Sequence, residues 1–77
     1  MNKTRRKALS EIYDTLALIA EHLEELIDEE NETLGNIPES LQATDRYQSA
    51  EEAVGNLEEA LDNLGSAYDL IEEAINS

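Results

Sequence analysis

Carboxylates dominate the chemistry open to this chain. Of its 77 residues, nineteen are Asp or Glu, five are Lys or Arg, and one is a histidine, His22. Carboxylates at this density invite two readings, a glycosidase-type acid–base pair or a hard-cation site. Counted from Asp28, oxygen ligands could come from Asp28, Glu30, Glu32, Asn36 and Glu39, with Glu39 at the twelfth place of a calcium loop. The sixth place is Thr33, where such a loop needs glycine for its turn. Di-iron bundles need an inward Glu-x-x-His pair. The residue three before His22 is Ile19, so that pattern is missing. There is no cysteine to act as nucleophile or zinc ligand, no glycine-rich phosphate loop, and no Ser/His/Asp set in a recognisable context. The expectation is a protein that is not an enzyme, with no catalytic residues, no cofactor and no metal.

The elements that carry these carboxylates are two long helices. In helix 1, expected over about 4–34, Leu9, Ile12, Leu16, Ile19, Leu23 and Leu26 recur at spacings of three and four. With Leu9 at heptad position a, Ile12 is d, and position e is apolar as well: Tyr13, Ala20, Ile27 and Leu34. Asn2 or Thr4 suits the N-cap. Gly35 suits a left-handed C-terminal cap, with Pro38 soon after. A connector follows over 35–44. In it Pro38-Glu39-Ser40-Leu41 is read as one helical turn with proline first, Ile37 and Leu41 plugging the open end; a mobile loop is the alternative.

Helix 2, expected over about 45–75 with Thr44 or Asp45 as cap, repeats in heptads from Tyr47: YQSAEEA, VGNLEEA, LDNLGSA, YDLIEEA. Position a holds Tyr47, Val54, Leu61, Tyr68 and Ile75; d holds Ala50, Leu57, Leu64 and Ile71; g is alanine at 53, 60, 67 and 74. Apolar a and d positions form a seam that must be buried. Gly55 and Gly65 each cost about 1 kcal/mol relative to alanine inside a helix. Gly65 marks a close contact or bend, or is tolerated because the seam is strong.

The fold expected is all-α: an antiparallel two-helix hairpin, a coiled coil, that dimerises into a four-helix bundle. A domain of this size is marginal without a staple, and association is the staple that remains. The hairpin covers a and d and leaves an apolar edge, expected at Tyr13, Ala20, Ile27, Ala53, Ala60, Ala67 and Tyr68. Three occupants are open: a second copy, a different protein, or the side chains of Tyr13, Tyr68 and Ile27 themselves.

Charge is segregated along the chain. Four of the five cations, Lys3, Arg5, Arg6 and Lys7, precede the first acid, Glu11, and only Arg46 lies among the acids. The hairpin should bring Arg5, Arg6 and Lys7 to Asp69, Glu72 and Glu73, as ion pairs that set register more than stability. The net charge of −14 argues against direct contact with nucleic acid or an anionic membrane. The acidic face Glu51, Glu52, Glu58, Glu59, Glu72 and Glu73 has a plain reading, solvation. Its sharper reading is display to a basic protein, even in mimicry of DNA. Fourteen charges along a rod of about 45 Å give about one per 3 Å, and a dimer about one per 1.6 Å, near the spacing in duplex DNA. No run of about 18 apolar residues exists for a membrane span, and the basic start leads into Glu11 and Asp14 rather than an apolar signal region. A cytoplasmic location is expected.

The start Arg5-Arg6-Lys7-Ala8-Leu9, the stretch Ile37-Pro38-Glu39-Ser40-Leu41-Gln42, then Asp45-Arg46-Tyr47 and the Ala-Glu-Glu-Ala heptads resemble small acidic helical proteins of phages and prophages of Gram-positive bacteria. The resemblance spans nearly the whole chain. It implies a phage setting in a bacterial host, where a protein of this kind binds and modulates or inhibits a host protein, such as a defence or nucleic-acid-handling enzyme. It implies no site residues.

Overall fold

The computed structural model describes all 77 residues and is all-α. Helix α1 spans Lys3–Gly35, a single 3-10 turn spans Glu39–Leu41, and helix α2 spans Asp45–Ile75. The two long helices pack antiparallel into a rod 59 Å long and 14 by 13 Å across. Side-chain caps start both. Asn2 Oδ1 accepts from the Arg5 backbone N–H at 2.8 Å, and Thr44 Oγ1 accepts from that of Tyr47 at 3.3 Å. The Thr44 hydroxyl also donates to the Leu41 carbonyl at 2.7 Å, which ties the 3-10 turn to the start of α2.

The end of α1 differs from expectation. Gly35 is still helical, no glycine has positive φ, and Asn36 is the C-cap in the right-handed region. The Asn36 N–H bonds back to the carbonyls of Glu32 and Thr33, so the helix closes by tightening its last turn, and no left-handed residue is required. Pro38 stands just before the 3-10 turn as its cap, not as its first residue. Of the two expected plugs, Ile37 packs against the core and Leu41 stays 51 % exposed.

The core is small. Only Ile27, Leu34 and Val54 are buried, with Leu23, Ile37, Tyr47, Ala50, Leu57 and Leu61 packed around them. At the far end of the rod the Tyr13 and Tyr68 rings stack with centroids 3.9 Å apart. Helix α2 uses a and d, as its heptads require: Val54 is buried, and Tyr47, Ala50, Leu57, Leu61, Leu64, Tyr68 and Ile71 are half-buried.

Helix α1 does not use a and d. Leu9, Leu16 and Leu23 are half-buried, but so are Tyr13 and Ala20, and Ile27 and Leu34 are buried. Ile12, Ile19 and Leu26, placed in the seam by the sequence reading, are 50 %, 47 % and 56 % exposed. The seam is therefore a and e. The two frames share the leucines at a and differ where the helix ends. There d falls on Thr33 and e on Leu34. Only Leu34 can join Ile27 and Val54 in an apolar cluster, and burying a side chain of that kind is worth about 1.5–3 kcal/mol.

Candidate protein-interaction surface

This shift of frame relocates the apolar edge. At about 100° per residue, Ile12, Ile19 and Leu26 lie roughly 80° to one side of the α1 seam, while Glu24 lies roughly 80° and Asp28 roughly 120° to the other. On α2, Ala53, Ala60, Ala67 and Ala74 stand to one side of the seam, and Glu51, Glu58 and Glu72 to the other. Contacts between the helices show which sides match. The Tyr13 hydroxyl donates to Glu72 Oε2 at 2.9 Å, and Asn31, Glu51 and Glu58 share one hollow of about 370 Å³. Those contacts lie on the acidic side of both helices. The isoleucine ridge of α1 and the alanine row of α2 therefore share the opposite face.

That face is uncharged along most of its length. Between Ile12 and Leu26 its other α1 residues are Thr15 and His22. Beyond the alanine row on α2 come Ser49, Asn56, Asn63 and Leu70, with Leu70 64 % exposed. A hollow of about 480 Å³ lined by Ala8, Ile12, Thr15, Leu16 and Ile19, with Glu11 also in its lining, lies toward the end away from the connector. At the connector end a hollow of about 460 Å³ is lined by Leu34, Ile37, Pro38, Leu41, Tyr47 and Ala50, with Glu30 and Arg46 at its rim. Each half-exposed Ile or Leu on this face forgoes about 1 kcal/mol of burial. Soluble monomers seldom leave a contiguous strip of this kind uncovered.

The residues expected at the apolar edge divide accordingly. Tyr13, Ala20, Ile27 and Tyr68 belong to the seam within the chain, Ile27 buried and the others half-buried. They face their own second helix, so the edge does not run through them. Ala53 and Ala60 are exposed and Ala67 is half-buried, on the uncharged face. Ile12, Ile19 and Leu26 complete it, and they were hidden in the sequence because each precedes another apolar residue at e.

All six expected acidic positions, Glu51, Glu52, Glu58, Glu59, Glu72 and Glu73, are exposed. Of the e-position members, Glu51 and Glu58 share a hollow with Asn31 of α1 and Glu72 lies at Tyr13, while the f-position members point away from the seam. Acids thus cover the rod except on the uncharged face. At the basic end, Arg6 Nη2 donates to the Ser77 carbonyl at 2.6 Å, and Glu72 is held by Tyr13; these contacts replace the ion pairs expected there. The Tyr13 hydroxyl is pushed above its ordinary ionisation range, first by the neighbouring Tyr68 hydroxyl, then by loss of water, then by the Glu72 carboxylate. Asp28, Glu30 and Glu32 stay on α1, and no three His, Asp or Glu side chains converge to hold a metal ion. No helix is long and apolar enough to cross a membrane.

No family model, curated protein or solved structure matches the chain.

Proposed function

We propose that this protein is a non-catalytic interaction module that associates with a protein partner, its own copy included, through its uncharged face and displays its acids around the outside to a basic protein. The observation that carries this reading is the exposure of Ile12, Ile19 and Leu26 beside an alanine row, on the one side of the rod that the acids avoid. Bulky residues next to small ones suit a partner that is itself helical, since ridges on one surface enter grooves on the other. The acidic surface suits a basic protein, by steering and by long-range complementarity more than by contact energy. In the phage setting implied by the sequence resemblance, that protein is a host enzyme of defence or nucleic-acid handling, modulated or inhibited by the complex. A second reading, a purely structural homo-oligomeric bundle with a solvated acidic surface, is favoured by the same exposed isoleucines.

The test is capture from a bacterial lysate that also contains an untagged copy of this chain. The tagged wild-type protein is compared with Ile19→Glu, a change on the exposed face that leaves the core intact. The expected result is that proteins held by the wild type, the untagged copy included, are lost with Ile19→Glu. An identical captured set with both would overturn the reading.

A further inference from the structure

Resting on that reading, we infer that the occupant of the uncharged face is a second copy of this chain, docked about a two-fold axis near Ile19 with the two connectors at opposite ends.

Three observations support a second copy in this orientation. The uncharged ridges run about 20 Å along α1, from Ile12 to Leu26, and about 30 Å along α2, from Ala53 to Ala74, across the 14 Å width of the rod, which is a strip long enough for another helical pair to lie on. It is also the only side of a −14 chain on which two copies can meet without setting acid against acid along the contact. Finally, its pattern is symmetric about its own middle. Reversal about Ile19 lays Ile12 on the second copy's Leu26 and Leu26 on the second copy's Ile12. The pairs Tyr13 with Tyr68 and Ile27 with Val54 place Ile19 level with Asp62. The alanine row has its middle between Ala60 and Ala67, within about 2 Å of that level. The same reversal therefore brings Ala60 within about one turn of the second copy's Ala67, and Ala53 within about one turn of its Ala74. A two-fold interface requires this self-complementarity. The alanines let the two α2 helices approach to the near end of the 8–10 Å range.

Charge selects between the two ways such faces can meet. With connectors at the same end, α1 of one copy would rest on α2 of the other; with connectors opposed, each helix rests on its own counterpart. Residues 20–61, the connector half, hold thirteen acids against Arg46, a net −12. The other half holds six acids against Lys3, Arg5, Arg6 and Lys7, a net −2. Opposed connectors set the −12 half against the −2 half, whereas aligned connectors would set −12 on −12. Opposed docking also brings Arg5 of each copy toward the other's Glu30, the acid that borders the connector-end hollow.

The chain has no cysteine, so single cysteines with a short bismaleimide read the docking directly. The expected result is efficient cross-linking of Ile19→Cys with itself and of Ile12→Cys mixed with Leu26→Cys, and little of Ile12→Cys with itself. All three positions are exposed, so folding is preserved and circular dichroism checks it. Cross-linking of Ile19→Cys mixed with Ala60→Cys in preference to Ile19→Cys with itself would overturn the orientation in favour of aligned connectors. A chain that sediments as a monomer at tens of micromolar would overturn the second copy altogether. If that monomer still loses a lysate protein on Ile19→Glu, the interaction-module reading stands and this inference alone fails; if it loses nothing, both fail.

Discussion

Tyr13 of α1 lies flat against Tyr68 of α2, ring centroids 3.9 Å apart and planes inclined by 20°, and its hydroxyl donates across to Glu72, also of α2. This contact fixes the register of the hairpin at the end away from the connector, as Ile27 and Val54 do at the other. It also holds α1 in the rotation that turns Ile12 outward. One aromatic pair thus links the packing within the chain to the surface the chain offers.

That link has a pH signature. Unfolded, Tyr13 ionises near the ordinary value of 10.0, and folded it keeps its proton to higher pH. Between those points the unfolded chain binds fewer protons, so stability falls as pH rises. Denaturant unfolding should give a stability that this group leaves level below pH 10.0 and lowers above it, and Tyr13→Phe should reduce the alkaline loss. An equal alkaline loss in the variant would assign it to other groups.

Gly55 and Gly65 lie inside α2, and a methyl group added at either would meet no atom within 4 Å. No close contact within the chain explains Gly65. Each glycine-to-alanine change should therefore stabilise the fold by about 0.5–1 kcal/mol. Both positions are off the uncharged face, so association should be unaffected. Thermal melting at fixed concentration checks this, with a rise of about 4–8 °C per kcal/mol expected in a domain of this size.

The buried cluster is so small that it has little redundancy. Ile27→Ala should cost about 2–4 kcal/mol, a large share of the stability available to a small domain. Ile19→Ala, about two turns away in the seam first expected from sequence, should cost the isolated hairpin far less, because Ile19 is 47 % exposed. Urea unfolding of both at low concentration distinguishes them. Equal losses would place Ile19 in the seam after all.

Much of this architecture was legible in the sequence. The helix starts follow from Asn2 and Thr44, the ends from Pro38 and the loss of periodicity, and the α2 frame from alanines too small to be mistaken for its leucines. The α1 frame was not legible. Ile12 stands beside Tyr13, Ile19 beside Ala20, and Leu26 beside Ile27. Each pair offers an apolar residue to d and another to e, and periodicity cannot rank them. The choice is made by tertiary contacts, Leu34 over Thr33 near the connector and Tyr13 on Tyr68 at the far end. The apolar edge inherited that error on α1 and escaped it on the alanines of α2.

Salt should act oppositely on the two surfaces. Two copies each carrying −14 repel, and screening weakens that repulsion, so self-association should tighten as salt rises. Binding of a basic protein to the acidic surface should weaken under the same change. Titrations at low and high ionic strength check both directions. A dimer that loosens with salt would mean that ion pairs, and not the uncharged face, hold it.

Sedimentation equilibrium at tens of micromolar reads whether a second copy covers the uncharged face. The expected result is twice the chain mass of 8.6 kDa for the wild type and a single chain mass for Ile19→Glu. A wild-type protein that sediments at 8.6 kDa, indistinguishable from the variant, would contradict it.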